Sequence, residues 1–277
     1  MKKGIKTFTL AAVLLQMLST GAYAATFSNL NEIKNEVYNN ALNRETKYTF
    51  YYDGDSDKIS SDLINIVKEA YNTDDYTGKS WSRIGYNAEG KKRNIKITVN
   101  TEFSTTQKEE DYINKYLSSV VSEIIKPGMS DYDKVKTIHD YIKNKYSYDD
   151  ELYSMILKLN SGEITDNELR NNIYRDTSVY RAINSNKAVC QGYAMTAYKM
   201  LKDAGIECRI VSGTLKGYEH VWNEVKVNGM WYYLDVTADD TSNTNNYFLV
   251  SGNVLKSSQY EWKEENSTEN NYKGCNI

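Results

Sequence analysis

The sequence has few of the residues that form metal centres and disulfide frameworks. Its 277 residues include three cysteines, two histidines and one proline. An odd number of cysteines leaves at least one thiol free or bridged to another molecule; a Cys208–Cys275 disulfide stays open at this point. Cys190, Cys208 and His220 match no common zinc-ligand spacing and lack a fourth ligand, so we expect no metal site.

An excess of positive charge is also absent. Lysine and arginine number 34 against 37 aspartates and glutamates, which gives a formal net charge of −3. Proteins that bind nucleic acid or anionic membranes through their charge present a basic surface. We therefore expect neither nucleic acid nor a membrane as a partner.

The sequence has no apolar run of about 20 residues, the length that a transmembrane helix needs. The run from Phe8 to Leu18 is shorter, follows three lysines near the N-terminus, and is followed by Ala22-Tyr23-Ala24. A basic start, a short apolar run and a small-x-small site are typical of a secretory signal peptide. We predict that residues 1–24 are removed after Ala24 and that the mature chain is exported, secreted or associated with the cell wall, without membrane insertion.

Cys190 stands at the predicted start of a helix. From Val189 to Leu201, apolar or small residues recur three and four positions apart, the spacing of one helix face. Gly205 is expected just past the end of this helix. In the first turn, unpaired backbone N–H groups and the helix dipole favour a thiolate and can stabilise an oxyanion. Cys190 is therefore a candidate nucleophile.

A β-hairpin is predicted around Asn-Gly at positions 228 and 229. The flanking segments 221–227 and 231–236 are rich in β-branched and aromatic residues. Asn-Gly between two such segments is a strong hairpin signal, because both residues tolerate the positive φ of a type I′ turn. With a two-residue loop, Val227 pairs with Met230.

The register of this hairpin brings a histidine close to an aspartate. It pairs Trp222 with Asp235 and His220 with Thr237, so the four side chains share one face of the sheet. His220 and Asp235 become diagonal neighbours, at a distance that long side chains bridge. A cysteine activated by a histidine, which an aspartate orients, is a nucleophilic catalytic arrangement. The pattern predicts that Cys190 meets this pair.

The same segments resemble the transglutaminase-like superfamily over roughly residues 130–250. The likeness rests on five short motifs in matching order: Val189 to Ala194, Gly205 to Cys208, His220 to Asn223, Gly229 to Tyr232, and Asp235 to Thr237. Val221 and Val236 replace the commoner alanine and proline, at positions that touch no reacting atom. The resemblance implies a papain-like fold and a Cys190, His220, Asp235 triad, with Trp222 beside the site.

The predicted fold class is α+β, with a cysteine-bearing helix packed on an antiparallel sheet that carries the histidine and aspartate. We divide the chain into four parts: a signal peptide at 1–24, an N-terminal α/β unit of unknown role at 25–128, a catalytic domain at 129–262 and a polar, frayed tail at 263–277. Pro127-Gly128 marks the central boundary. A helix is expected to begin at Ser130, with His139 on it lacking a partner.

Plainer interpretations of these residues remain open. Cys190 taken alone would be an inert buried cysteine, and His220 a core histidine bonded to a backbone carbonyl. Asp239 and Asp240 form a solvated turn in this interpretation, since they lack the ligand spacing of a calcium loop. The aromatic residues at 48, 51, 52, 81 and 86 form a core face or, alternatively, a binding surface.

The predicted function is acyl transfer through a Cys190 thioester, acting on protein or peptide amides. Backbone N–H groups hold the oxyanion, and Gln191 is a weaker candidate to assist. An amine acceptor gives protein crosslinking by an acyltransferase, whereas water gives a cysteine peptidase or amidase acting on extracellular or cell-wall peptides. A non-catalytic surface-binding module is the alternative from another class. The mechanism requires no cofactor, and the sequence does not set the donor, the acceptor or the oligomeric state.

Overall fold

The computed structural model describes residues 24–91, 93–263 and 270–272. The predicted signal peptide lies outside the described residues except for Ala24, and Cys275 also lies outside them. Among the described residues, no helix has the length and apolar character needed to cross a membrane.

The first half of the chain forms a four-stranded sheet with helices packed against it. Its sheet order is β1-β2-β4-β3, with β1 parallel to β2 and the other neighbours antiparallel. The elements are β1 (Thr26–Phe27), α1 (Leu30–Leu42), β2 (Lys47–Tyr52), α2 (Ser56–Tyr71), α3 (Asp75–Gly78), β3 (Trp81–Lys91), β4 (Arg93–Phe103) and α4 (Gln107–Ile124).

The second half forms helices around a five-stranded antiparallel sheet. The elements are α5 (Asp131–Lys145), β5 (Ser147–Tyr148), α6 (Asp150–Asn160), α7 (Asn167–Asp176), α8 (Val179–Ser185), β6 (Lys187–Ala188), α9 (Cys190–Asp203), β7 (Cys208–Leu215), β8 (Tyr218–Val227), β9 (Met230–Leu234), α10 (Val236–Thr241), β10 (Phe248–Val250), α11 (Gly252–Ser257) and β11 (Tyr260–Trp262). The sheet order is β10-β9-β8-β7-β11.

Helix α9 lies against one face of the five-stranded sheet. Asn223 of β8 donates a 3.0 Å hydrogen bond to the Ala194 carbonyl of α9. Because side chains alternate along a strand, His220 and Trp222 face the opposite side of the sheet, where Trp222 packs with Tyr233 in a small hydrophobic cluster. The predicted α+β arrangement, a cysteine-bearing helix on an antiparallel sheet, is confirmed.

Two large hydrophobic clusters fill the molecule. One lies between the four-stranded sheet and helices α1 and α2. The other surrounds α9 and includes Ile113, Leu117 and Val121 of α4. Helix α4 thus packs with the second half, although it precedes Pro127. The division at residue 128 stays a prediction about domains, while the packing joins its two sides through α4.

A buried charge network also joins the first half to the cysteine helix. Arg44 and Glu110 form a 2.9 Å ion pair with side chains almost fully buried, and Glu110 lies 3.5 Å from the Lys199 ammonium of α9. Tyr76 donates to the same carboxylate at 3.0 Å. Burial raises the pKa of Glu110, but Arg44 and Lys199 outweigh burial and lower it.

The predicted hairpin is confirmed near its turn and wrong at its far end. Val227 pairs with Met230, and the register continues to Asn223 opposite Leu234. Strand β9 then ends, and Asp235 caps helix α10 by accepting a 2.9 Å bond from the Ala238 N–H. His220 is therefore not opposite Thr237. Aspartate is a favoured helix N-cap, and that bond outweighs the strand preference of the residues after it.

The sheet ends on a strand that follows the hairpin by a long way in the chain. Strand β10 is followed by α11 and β11, and β11 pairs with β7. Gly213 lies inside β7, where a Cβ atom would stand 2.1 Å from the Glu261 carbonyl oxygen. Glycine there allows β11 to approach. Tyr272 of the predicted frayed tail stacks on Tyr132 at 5.1 Å and donates its N–H to Leu249.

His139 has partners, contrary to the prediction. It is fully buried on α5, with Nε2 3.1 Å from Asp239 and Nδ1 2.9 Å from Asp140. Burial lowers the pKa of His139, but the two carboxylates outweigh burial and raise it. Asp239 is fully buried and accepts the Tyr247 N–H at 2.9 Å, so the predicted solvated turn is wrong. The pair fastens α10 to α5.

Replacing His139 by alanine is expected to destabilise the fold by roughly 3–5 kcal/mol, because it leaves the buried Asp239 carboxylate without its charged partner. Urea unfolding monitored by circular dichroism measures this loss. Asp140→Asn is the matched control, since Asp140 is 41% exposed and its pairing is weaker. A His139→Ala variant as stable as the wild type would contradict the assigned role of the pair.

Candidate active site

Cys190 is the first residue of α9, as the sequence predicts. The N-cap residue Val189 offers no side-chain acceptor, so the first-turn N–H groups are not capped by it. Cys190 is partly exposed, whereas Cys208 is buried. Gly192 permits close packing behind the nucleophile, because a Cβ atom there would lie 2.9 Å from the Ala188 Cβ.

His220 and Asp235 form a short, buried pair. Nε2 of His220 lies 2.6 Å from Oδ2 of Asp235. The Asp235 carboxylate is 1% exposed and also accepts hydrogen bonds from Tyr260 at 2.7 Å and from the Ala238 N–H at 2.9 Å. Cys190 lies close enough to the His220 ring to contribute to its raised pKa. Since Asp235 uses Nε2, Nδ1 is the nitrogen left for the thiol.

The surroundings favour the charged forms of this pair. Burial lowers the pKa of His220, but Asp235 and the Cys190 thiol outweigh burial and raise it to about 10. Burial raises the pKa of Asp235, but His220, the Ala238 N–H and the Tyr260 hydroxyl outweigh it and lower that pKa. The histidine is therefore an imidazolium at neutral pH, held against a carboxylate.

Trp222 lies where the sequence places it, beside the pair. It is 1% exposed, and its indole stacks on the His220 ring at 5.8 Å with 23° between the planes. Its Nε1 has no hydrogen-bond partner among the described residues. A large apolar ring over the imidazole excludes water from the His220–Asp235 hydrogen bond and strengthens it.

Tyr260 is a site residue that sequence reasoning missed. It lies on β11, is 2% exposed, and meets His220 and Trp222 edge-on at 5.8 and 5.2 Å. Burial and the Asp235 carboxylate raise the pKa of Tyr260, so its hydroxyl keeps its proton and donates it. One tyrosine among 25, on an unpredicted strand, carries no distinguishing local signal.

Replacing Tyr260 by phenylalanine is expected to slow turnover about tenfold, because the charged Asp235 loses one of its three donors. Tyr260 helps to lower the pKa of Asp235. Without it that pKa rises, so acid unfolding begins at a higher pH. Acid titration followed by circular dichroism, beside kcat measurement, checks both effects. Tyr232→Phe is the control, and equal acid midpoints in all three proteins would refute the role of Tyr260.

Gln191 does not occupy the predicted oxyanion position. Its amide nitrogen donates to the Lys79 carbonyl at 3.2 Å and to the Thr177 hydroxyl at 3.0 Å. Both amide hydrogens are thus used by protein acceptors. The side chain instead fastens the loop after α3 to the start of α9. Oxyanion stabilisation is left to the backbone N–H groups of the first turn of α9.

Two open depressions are candidates to bind substrate, and one of them includes His220 in its lining. The tyrosine cleft has a volume of about 400 Å³, and its lining includes Tyr148, Tyr153, Tyr218, Tyr247 and His220. The lysine groove has a volume of about 310 Å³, and its lining includes Lys79, Arg209, Lys263, Asp75 and Glu224. Either is large enough for one or two side chains of a peptide. No described group of His, Cys, Asp and Glu side chains has the arrangement of a metal site.

Comparisons with known proteins agree with this geometry. Residues 118–236 match the model of the Transglutaminase-like superfamily core. The Kyphoscoliosis peptidases of Mus musculus and Homo sapiens are 26% and 25% identical over 133 residues. Those residues are 44% of this chain and only 18% of either relative, so the chain spans less than a fifth of their length.

A solved structure described as a TGase is also similar. The match covers 77% of this chain and 59% of the solved chain, with 16% sequence identity and a TM-score of 0.36. The family match itself contains Cys190, His220 and Asp235. In residues 118–236 the chain therefore matches the core of the transglutaminase-like superfamily.

Proposed function

We propose that this protein is a cysteine acyltransferase that forms a thioester between Cys190 and an amide substrate. The observation that carries the proposal is the arrangement of three side chains. His220 is held by Asp235 at 2.6 Å through one ring nitrogen, and Cys190, the first residue of α9, is near enough to contribute to the raised pKa of that ring. A thiol beside an oriented imidazole is the arrangement of an activated sulfur nucleophile.

In the first half-reaction, Cys190 attacks the substrate carbonyl carbon as a thiolate whose proton is carried by the His220 imidazolium. The electron pair moves to the carbonyl oxygen, where first-turn N–H groups of α9 stabilise the oxyanion. When the carbonyl re-forms, the C–N bond breaks and His220 returns its proton to the leaving amine. Asp235 fixes the imidazole and stabilises its charge throughout.

In the second half-reaction, an acceptor attacks the thioester carbonyl and Cys190 leaves as thiolate. His220 takes the proton of the acceptor. A lysine side chain gives an isopeptide bond, which is a crosslink, whereas water gives an acid. The tyrosine cleft, which includes His220 in its lining, and the separate lysine groove support a reaction with distinct donor and acceptor sites.

Hydrolysis is the second candidate. The aligned relatives are named peptidases, and the site opens to solvent through the tyrosine cleft, which admits water. A thioester that water reaches freely is hydrolysed, whereas one from which water is excluded awaits an amine. The same first half-reaction serves both outcomes.

The setting we propose follows from the predicted signal peptide. An exported enzyme of this kind acts on a protein or peptide outside the cell, including the peptides of the cell wall. The alternative is a surface-binding module without activity. In that case the buried pair of His220 and Asp235 would be structural, and Cys190 would have ordinary thiol reactivity.

Alkylation of the mature protein by iodoacetamide tests the proposal. Peptide mass mapping from pH 5 to 8 measures the labelling rate of each cysteine in the wild type and in His220→Ala. Rapid labelling of Cys190 at pH 5 that slows in His220→Ala is expected, with the buried Cys208 as the internal control. If Cys190 is labelled no faster than an unactivated model thiol, the proposal that the protein is a cysteine enzyme is contradicted.

Amine incorporation then separates the two outcomes. With casein and a fluorescent primary amine, a transferase attaches the amine to the protein, whereas a hydrolase releases new carboxylates or peptide ends. Cys190→Ala should show neither product. Amine incorporation that rises with amine concentration while hydrolysis falls would establish a shared thioester.

A further inference from the structure

Lys79 brings a cation from the N-terminal α/β unit to the edge of the active site. It is the C-cap residue of α3, and its carbonyl accepts the Gln191 side-chain N–H at 3.2 Å. Gln191 directly follows the nucleophile, so this bond fixes the Lys79 backbone next to the start of α9. Ile210 of β7 donates its N–H to Asp75 of the same short helix at 2.8 Å. The loop is thus held at both ends.

The ammonium of Lys79 lacks a full counter-charge. It is partly buried, and it makes no ion pair with any residue that the structure describes. Burial lowers the pKa of Lys79, and the more distant Asp75, Cys190 and Glu219 only partly oppose this. A half-buried ammonium without a partner favours binding of an anion. The interaction with Cys190 places it near the reacting sulfur.

The lysine groove around Lys79 is otherwise cationic at its surface. Arg209 and Lys263 line it and are exposed. Its two acidic residues are less available to a ligand: Asp75 accepts the Ile210 N–H, and Glu224 is 3% exposed. Arg209 stands opposite Glu224 on the neighbouring strand, so these two charges offset each other, and Lys79 and Lys263 against Asp75 leave an excess of positive charge in the groove.

We infer that the lysine groove is a substrate subsite in which Lys79 binds a carboxylate of the acyl donor. This inference rests on the proposed function and names a substrate class for it: peptides with a carboxylate close to the reacting carbonyl. The carboxylate comes from an acidic side chain or from a free C-terminus. The first half of the chain then contributes to specificity, and its position against α9 acquires a function.

Two small activated esters of similar shape test the inference. Mono-p-nitrophenyl glutarate carries a carboxylate, whereas methyl p-nitrophenyl glutarate is its neutral counterpart. Stopped-flow release of nitrophenolate measures the rate at which each acylates Cys190, and intact mass confirms the thioester. The wild type should prefer the charged ester. In Lys79→Gln, the ratio of the charged-ester rate to the neutral-ester rate should fall about fivefold, which is the effect of losing one partly exposed charge. At high salt, which screens this charge, the fall should be smaller.

Lys202→Gln is the matched control. Lys202 is an exposed lysine on the same helix as Cys190 but 12 residues further along, or about 18 Å at the rise of an α-helix. The ratio of the two rates should not change in this variant. Thermal unfolding of all three proteins shows whether Lys79→Gln leaves the fold intact. We expect it to do so, because Gln191 contacts the backbone carbonyl of Lys79 and not its side chain.

Competition identifies the source of the carboxylate. One peptide carries a glutamate side chain and an amidated C-terminus, and a second of equal length carries glutamine and a free C-terminus. The peptide that slows acylation more in the wild type than in Lys79→Gln identifies the source. Equal effects of both peptides on the two proteins would overturn the inference.

The outcomes separate the inference from the proposed function. If both esters acylate Cys190 and Lys79→Gln slows them equally, Lys79 acts on the thiolate and the carboxylate subsite is refuted while the acyltransferase stands. If neither ester acylates Cys190, the proposed function fails and the subsite fails with it.

Discussion

Replacing Cys190 by alanine is expected to abolish acylation and to lower turnover by roughly 10⁵- to 10⁶-fold, since no other described thiol lies near His220. The same variant should lower the pKa of His220, because Cys190 helps to raise it. Nuclear magnetic resonance of the imidazole reports that shift directly. Turnover is measured with the amine-incorporation assay, and the thioester by intact mass.

Cys208→Ala is the matched control for this prediction. Cys208 is buried, and burial raises the pKa of its thiol, which keeps it protonated and unreactive. Its loss should change stability modestly and leave acylation in place. Thioester formation that survives in Cys190→Ala, or disappears in Cys208→Ala with the fold intact, would show that Cys190 is not the nucleophile.

Replacing Asp235 by asparagine is expected to lower turnover roughly 10³- to 10⁴-fold while the fold persists. Asparagine keeps the shape and can still cap α10, but it loses the negative charge that outweighs the burial of His220. The pKa of His220 should therefore fall from about 10 towards or below 6.5. At neutral pH the histidine becomes neutral and no longer offers a positive charge to Cys190.

Asp240→Asn provides the matched control on the same helix. Asp240 accepts a hydrogen bond from the Tyr193 hydroxyl at 2.6 Å and has no hydrogen bond to His220 or Asp235 among the described residues. Its replacement should leave the pH dependence of Cys190 alkylation unchanged. A similar loss of activity in both variants would indicate that α10 acts only through its packing, and the assigned role of Asp235 would then be wrong.

The pair also predicts how stability depends on pH. The pKa of His220 is raised, so its contribution is complete below its ordinary pKa of 6.5 and is lost as pH rises through about 10. The pKa of Asp235 is lowered from 3.8, so its contribution is present above that value and is lost as pH falls. The wild type should exceed Asp235→Asn in stability most clearly between about pH 4 and 6.5, which thermal unfolding across pH measures.

Local patterns along the sequence determined much of the site. The three-and-four spacing after Val189 predicted the helix that begins at Cys190, because helix formation depends on contacts between near neighbours. Asn228-Gly229 predicted the turn and its register for the same reason, since positive φ at both positions selects a two-residue loop. These two elements are enough to bring the nucleophile and the histidine into one candidate site.

The contacts that position the site residues join parts of the chain that are distant in sequence, so local sequence patterns do not predict them. Tyr260 reaches Asp235 only because β11 pairs with β7, where Gly213 leaves room for it. His139 meets Asp239 across 100 residues, and Gln191 meets Lys79 across 112. Such pairs form when packing of the whole chain brings buried polar groups together and each must find a partner.

Asp235 shows both sources of information in one residue. The sequence placed it near His220, and the structure confirms that contact at 2.6 Å. The predicted strand conformation of Asp235 was wrong, because Asp235 caps helix α10 instead. Local preferences for continuing the strand and for capping a helix are nearly equal, and the packing of α10 against α5 and α9 decided between them. Sequence alone therefore determined which chemical groups are present and in what order. Tertiary packing decided which residues orient them, how deeply they are buried and which charge they carry.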